Sequence, residues 1–482
     1  MSSISASPPC SVPSALSSAL RHALLVACAP DATLERSSQS MIVARAPGAR
    51  ATIASDDGAV IATLLALYGS ARTHDALYAP VAPHRWPELA AHLRTLDALG
   101  ALCHALHVDG APALDLYCLA PGAPLDVGVR ALPDHVRLSR FALAHAERGE
   151  LVMESATSRC RVVMHDVSLA AAALACASAV PSRAFAADAS RASDTVHALA
   201  LALLLAAGVV VPCDVSGAAH EDDDPLRDWS LHDALFHART RWGLRAAPAT
   251  VLSPRGDELP PAARARDGNA DVVHLPTPTH TLDGSLDHAL AGRRSVRVHT
   301  EPPLTLDALG ALLHWSARVQ RTLPASVPSQ PYDATLRPYP SGGACHPLVI
   351  YACVPRCDGL DSGLYRYDPF AHALERLRGR DGAAAEMLAA HPDIDDLHGP
   401  RQILLVIAAR FARTNRRYRE VAYALVMKEA GALLQNLYVV AGALGLAACA
   451  LGSGDASALA AAVGVDVWEE SSIAELSVGA GG

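Results

Sequence analysis

At 482 residues, with 51% hydrophobic and 18% charged positions, the chain is long enough for roughly three domains and apolar enough to bury a large core, which excludes a wholly disordered protein. A formal charge of −9 argues against a nucleic-acid partner, whose binding comes mainly from Lys and Arg neutralising phosphates. The N-terminus lacks the positive charge that opens a secretory signal, so we expect a cytoplasmic protein.

Residues 1–18 are rich in Ser, Pro and Ala and are expected to be disordered. A first module is expected over 19–130. Thr52–Tyr68 holds apolar residues at helical spacing after a start signal at Ser55 and Asp56, Thr73–Leu77 reads as a second short helix and Glu88–Leu99 as a third, before Gly100 and the apolar run Ala101–Leu106. Three short helices followed by a strand is the pattern of a winged helix-turn-helix. It repeats more faintly over 131–215: a hairpin at Phe141–Glu154, a strand at Cys160–Met164, helices at Val167–Ser178 and Ser193–Ala207, and a closing run at Gly208–Pro212. Such modules serve either to capture a peptide by strand addition at a wing edge or to pack and dimerise, since sheet edges do both.

Residues 216–280 hold an acidic break at Glu221–Asp224, a helical stretch at Trp229–Trp242 and a Pro-rich linker from Pro248 to Pro278. His232 and His237 fall on different faces of that helix, and Cys353 and Cys357 lack the further pair that a closed zinc site needs, so no metal is expected. Eleven cysteines without framework spacing suit reduced thiols.

The last stretch, 281–482, carries the chemistry. Arg293, Arg294, Ser295 and Arg297 cluster ahead of an amphipathic helix, Leu304–Val319. Guanidinium forks and a hydroxyl suit a phosphate, the alternative being a solvated basic face. Pro340, Ser341, Gly342 and Gly343 form a turn that feeds the β-branched run up to Tyr351. Glycines without Cβ let backbone N–H groups approach a flat or anionic ligand, although an ordinary turn has the same composition. A hairpin follows at Gly363–Leu377, a charged excursion at 378–400 and a buried strand at Gln402–Ala409. Tyr418–Leu446 is a helix apolar almost all round, interrupted by Glu420, Lys428, Glu429, Gln435 and Asn436. Those polar groups exclude a membrane span, and the apolar faces call for a subunit interface. Leu451, Gly452, Ser453 and Gly454 make a second glycine turn.

The Arg-Arg-Ser-Val-Arg cluster, the Tyr-Pro-Ser-Gly-Gly turn, Arg417-Tyr418, Gln435-Asn436 and the Leu-Gly-Ser-Gly turn appear in one order that resembles the flavin-dependent nitroreductase superfamily, specifically the SagB-type dehydrogenases and cyanobactin oxidases. The likeness covers residues 229–482 well, and the N-terminal modules resemble the paired winged-helix domains of the cyanobactin oxidases more weakly. It implies an α+β chain whose C-terminal nitroreductase-like α/β fold binds FMN at a homodimer interface. Arg293, Arg294, Ser295 and Arg297 then match the segment that grips the FMN phosphate and ring edge. Pro340 to Gly343 match the loop lining the flavin, and Gln435 and Leu451 to Gly454 complete the cofactor site. The family's Lys-Tyr catalytic pair falls on Arg417 and Tyr418, with arginine replacing lysine. The implied activity is oxidation of a thiazoline or oxazoline to the azole in a peptide, alongside a cyclodehydratase, with Tyr418 taking the Cα proton and Arg417 favouring its phenolate. His346 is a second polar candidate, or a turn residue capping the strand. Two alternatives stand beside this reading: a same-fold flavin oxidoreductase acting on a nonribosomal or amino-acid-derived substrate, and a flavin-free peptide-binding scaffold.

Overall fold

In the first of two compact units, Met1–Pro248, short runs of alternating apolar residues form strands wherever Gly or Asp turns break them. The computed structural model describes residues 24–47, 49–125, 127, 132–185, 194–223, 225–241, 258–266, 270–279, 281–282, 285–325, 332–377, 382, 387, 397–418 and 420–481. The disorder expected at 1–18 lies outside them, and so does the charged excursion at 378–400 apart from 382, 387 and 397–400.

The unit opens with β1 (Leu24–Cys28) and a meander of β2 (Thr33–Ser38), β3 (Met41–Ala46) and β4 (Ala49–Ala54). Then come α1 (Gly58–Gly69), β5 (Arg72–Thr73), α2 (His74–Tyr78), α3 (Trp86–Leu99) and the hairpin of β6 (Leu102–Val108) and β7 (Ala111–Cys118). A second pass begins at β8 (His135–Leu138), with a meander of β9 (Ala142–Glu147), β10 (Glu150–Ser155) and β11 (Cys160–Met164). It continues through α4 (Val167–Ala175), β12 (Val180–Pro181), a single helical turn, α5 (Asp194–Ala206) and β13 (Val210–Cys213).

The two passes follow one succession: strand, meander, helix, short strand, helical turn, helix, strand. Their sheets agree in order, β5-β1-β6 in the first and β12-β8-β13 in the second. Both leading helices start from an aspartate, Asp57 and Asp166, whose carboxylate accepts from N–H groups of the first turn. The second meander joins the first sheet, which runs β5-β1-β6-β7-β11-β10-β9. The hairpin β6–β7 is therefore paired on both outer sides, and the open edges of this sheet are β5 and β9, the latter the outer strand of the hairpin read at Phe141–Glu154.

Three sequence expectations change here. Strands β1 to β4 were not foreseen, Thr52–Ala54 belongs to β4, and the helix starts from Asp57, next to the signal read at Ser55 and Asp56. Cys118 and Cys160, opposite each other on β7 and β11, are bonded, against the expectation of reduced thiols throughout. On α6 (Leu231–Thr240), His232 faces Asp233 at 3.2 Å while His237 packs 5.3 Å from Trp229. Among the described residues no His, Cys, Asp and Glu group is placed to hold a metal ion.

The second unit, Ala249–Gly482, contains β14 (Asp271–His274), α7 (Leu286–Gly292), α8 (Leu306–Ala317), β15 (Arg321–Leu323), β16 (Ala334–Leu336), β17 (Leu348–Val354), β18 (Gly363–Asp368) and β19 (Ala373–Arg376). It ends with β20 (Ile403–Arg410), α9 (Ala412–Asn415), α10 (Ala422–Ala443), β21 (Leu446–Leu451), α11 (Ala456–Val463) and β22 (Glu470–Ala480). The main sheet is antiparallel in the order β14-β19-β18-β17-β20-β22-β21. Strands β17 and β20 are buried on both faces and so read as continuous apolar runs. Ile350, Ala352, Leu405 and Ile407 face α8 and α10 through Leu309, Leu312, Val426, Leu433 and Leu437. Tyr351, Cys353, Leu404 and Val406 face the other way, toward Leu459 of α11. Each fully buried Leu or Ile contributes about 1.5–3 kcal/mol.

Part of the stretch read as a linker belongs to this unit. Asp271–His274 pairs with β19 as the edge strand β14, Arg264 reaches Glu470 and Arg266 reaches Asp368. No helix among the described residues is long and apolar enough to cross a membrane.

Candidate functional site

The helix α10 organises the site because the expected residues lie along its flanks. Asn436 donates from Nδ2 to the Pro338 carbonyl at 2.9 Å. Further along, a Cβ on Gly342 would come 3.1 Å from the Leu425 side chain. Residues 338–343 thus run beside the helix for about 16 Å, at a rise of about 1.5 Å per residue. It is Asn436 that holds this segment; the side chain of Gln435 is exposed.

Beyond Gly342 the backbone is contorted. Gly343, Ala344 and His346 have φ of +62°, +53° and +43°, a left-handed region that only glycine adopts readily. Such a turn persists because its surroundings hold it. Ser341 Oγ accepts from the His346 N–H at 2.8 Å, and Tyr332 donates its hydroxyl to the Gly343 carbonyl at 2.8 Å. From α9, Arg413 donates to the carbonyls of Cys345 at 2.7 Å, of Asp333 at 3.2 Å and of Pro260. That guanidinium is only 1% exposed, and burial pulls its pKa down to about 10. His346 is also buried, with Nδ1 3.1 Å from Thr335 Oγ1 and Nε2 3.2 Å from the Tyr339 carbonyl. Burial, helped by Arg337, pushes its pKa down to about 4, so it fixes the turn as a neutral ring.

Arg417 and Tyr418 meet this turn from the end of α9, where both N–H groups donate to the Thr414 carbonyl. A Cβ at Gly343 would lie 2.9 Å from the hydroxyls of both Tyr332 and Tyr418, and 3.5 Å from Arg417 Nε. The Arg417 guanidinium carbon sits 5.5 Å from the Tyr332 ring centre and 5.7 Å from that of Tyr418, within the range of a cation–π contact. Arg417 Nε is buried and without a hydrogen-bond partner among the described residues. The expected catalytic pair therefore stands over the glycine turn, with an unused donor beside it.

The basic cluster gathers elsewhere, around Tyr438. Arg293 lies 5.4 Å from the Tyr438 ring centre, and Ser295 Oγ is 3.1 Å from its hydroxyl, which in turn accepts from the Ala450 N–H at 2.6 Å. Val296 donates to Ala448, which lays the segment beside β21. Arg294 departs from the expected grouping: its Nη1 donates to the carbonyls of Ala291 and Arg293 at 2.7 and 2.9 Å, closing the end of α7. Arg297 is exposed. Leu451 ends β21, and Gly452, Ser453 and Gly454 are exposed just ahead of α11. A Cβ at Gly454 would meet the Glu475 carboxylate, so a side chain there would displace the end of Glu475. Leu425 and Tyr438 are about 20 Å apart along α10, so one chain carries two separated sets of candidate residues.

Tyr438, Tyr332, Arg413 and Glu429 escaped the sequence reading as site residues. A signal existed for Glu429: it shares a helix face with Val426, Leu433 and Leu437, all buried, and a carboxyl on such a face is rarely idle.

The family profile of the cyanobactin oxidase ThcOx matches residues 136–246, and that of the nitroreductase family matches residues 290–480. A protein of Methanocaldococcus jannaschii named as a nitroreductase, MJ1384, is 32% identical over 168 residues, covering 35% of this chain and 78% of its own length. The chain belongs to the nitroreductase family. This nitroreductase-family chain is also 27% identical over 132 residues to the microcin B17-processing protein McbC of Escherichia coli, covering 27% of this chain and 48% of McbC. It therefore spans about half of that relative. Among solved structures, a nitroreductase-type protein from Ralstonia eutropha overlays with a TM-score of 0.36 and 27% identity, covering 47% of this chain and 96% of that one. The E. coli microcin synthetase McbBCD complex with truncated pro-MccB17 bound gives a TM-score of 0.33 and 22% identity, covering 44% and 78%.

Proposed function

We propose that this oxidoreductase is an FMN-dependent dehydrogenase that converts thiazoline or oxazoline rings of a modified peptide to thiazole or oxazole. The observation that carries the reading is the succession of a cyanobactin oxidase match and a nitroreductase match in one chain. The likeness to McbC, named for processing microcin B17, supports a peptide substrate; a partner cyclodehydratase would supply its azoline rings.

The residues present fit a flavin on two counts: the turn at Ser341–Gly343 offers backbone without side-chain bulk, and the Arg417 Nε donor beside it is unengaged among the described residues. Arg293, Ser295 and Arg297 would hold the phosphate, and Ser341 to Gly343 together with the turn at Leu451–Gly454 would line the ring. When bound, FMN supplies the acceptor for the hydride that leaves Cβ. Tyr418 takes the Cα proton, with the Arg417 guanidinium 5.7 Å from its ring centre holding the ring over the turn. Loss of that proton and hydride leaves the Cα=Cβ bond that completes the aromatic ring.

The separation of the two residue sets along α10 is compatible with a homodimer in which each site would draw on two copies, with Tyr423 and Met427, 48% and 42% exposed on α10, as candidates for its contact. The repeated succession in the first unit is read as two related winged-helix-like modules that receive the substrate's leader segment in the cytoplasm. The test is the absorbance spectrum of the purified protein, then mass analysis of an azoline-bearing peptide after incubation. Released FMN and loss of two hydrogens per ring support the reading; a colourless protein that takes up no FMN refutes it.

A further inference from the structure

Glu429 points from α10 toward the glycine turn and has no part in the chemistry above. It is 4% exposed, and its Oε1 has no hydrogen-bond partner among the described residues. Facing it are the Ser341 hydroxyl and Arg337 from the turn segment, with Tyr339 and Cys345 close enough to feel its charge, and Arg413 from α9. None of these forms a close ion pair with it. A carboxyl enclosed in this way at an apolar helix face costs stability unless it does work there.

Ser341 shows what that work is. Its oxygen accepts from the His346 N–H at 2.8 Å and keeps one further acceptor site, so the state of the facing carboxyl decides where its single proton goes. An ionised carboxylate only accepts hydrogen bonds, and it would draw the Ser341 proton down toward the helix. A protonated carboxyl can donate, and it would leave the Ser341 proton free to turn outward over the turn.

We infer that Glu429 is the positioning residue of the flavin-lining turn: its protonation state sets whether Ser341 donates inward to the helix or outward to the bound cofactor. The inference rests on the flavin reading above. Burial pushes the Glu429 pKa up to about 7, against the opposing pulls of Ser341, Arg337 and Arg413, so both states are populated near neutrality. As pH rises through this range, the outward hydrogen bond is withdrawn.

The experiment is FMN titration of the full-length apoprotein, followed by quenching of flavin fluorescence, at several pH values from about 5.5 to 8.5, a span centred on neutrality. Wild type, Glu429→Gln and Ser341→Ala are compared. Relative to Glu429→Gln, wild-type affinity is expected to fall roughly tenfold across the range, the equivalent of one hydrogen bond. The FMN phosphate and the other titrating groups are common to both proteins, so the difference between their curves reads Glu429. Ser341→Ala should bind more weakly than wild type at low pH and lose the same step. Parallel curves for wild type and Glu429→Gln overturn the inference while leaving the flavin reading intact. Failure of the wild type to bind FMN at any pH overturns both.

Discussion

Replacing Gly343 by alanine adds one methyl group at the most constrained point of the site. At φ of +62° an L-residue costs about 1 kcal/mol more than glycine. The new Cβ would also stand 2.9 Å from two phenol oxygens, those of Tyr332 and Tyr418. Moving Tyr332 sacrifices its 2.8 Å bond to the Gly343 carbonyl, worth about 1 kcal/mol. The sum is about 2–3 kcal/mol, which for a unit of this size lowers the melting temperature by about 4–12 °C. Gly431 supplies a matched control, since a Cβ there meets nothing within 4 Å and lies inside α10. Gly431→Ala should raise stability by up to about 1 kcal/mol through helix propensity. Thermal unfolding of both variants by calorimetry is the assay, and a Gly343→Ala protein that melts at or above wild type would refute the reasoning about the turn.

Three further outcomes are expected. Tyr418→Phe should reduce turnover of an azoline peptide about 10²- to 10⁴-fold with little change in FMN affinity, as measured by steady-state kinetics beside flavin titration. Arg413→Lys should fail to restore the stability lost in Arg413→Ala, because an ammonium cannot reach the carbonyls of Cys345, Asp333 and Pro260 together; chemical denaturation of the two variants decides it. Glu429 makes stability depend on pH. Its folded pKa of about 7 lies above the ordinary 4.5, so the folded chain binds the extra proton, and stability falls as pH rises between those values. The loss reaches about 3 kcal/mol above pH 8. Glu429→Gln should remove this slope from denaturation curves recorded between pH 5 and 8, a range spanning the titration.

Residues whose burial is complete on both faces were legible from the sequence. Residues 348–354 and 403–409 are continuous apolar runs because α8 and α10 cover them from one side and α11 from the other. The turn at Pro340–Gly343 was legible too, since adjacent glycines mark a backbone without side-chain bulk. Strands β2 and β4 were missed because half of their positions are charged or small and face solvent, which leaves little alternation to read. Strand β14 was hidden for a related reason: two valines between prolines look like linker until β19 supplies a ladder partner. The role of Tyr438 depends on residues 295 and 450 converging on its hydroxyl, a coincidence of tertiary structure that no local pattern announces.

The repeated succession in the first unit has a practical consequence for anyone who would cut the chain between its two passes. The meander of the second pass finishes the sheet of the first, with β11 laddered to β7 from Cys160 opposite Cys118 to Met164 opposite Leu114. Severing the chain ahead of β8 and expressing either piece alone would convert that interior seam into two raw edges, each a template for association with other molecules. A fragment holding only the second pass keeps the short ladder β12-β8-β13 and the meander β11-β10-β9, the latter with β11 unpaired along one side. The repeat is thus visible in topology but not separable in substance: the two copies share one wall along the β7–β11 seam.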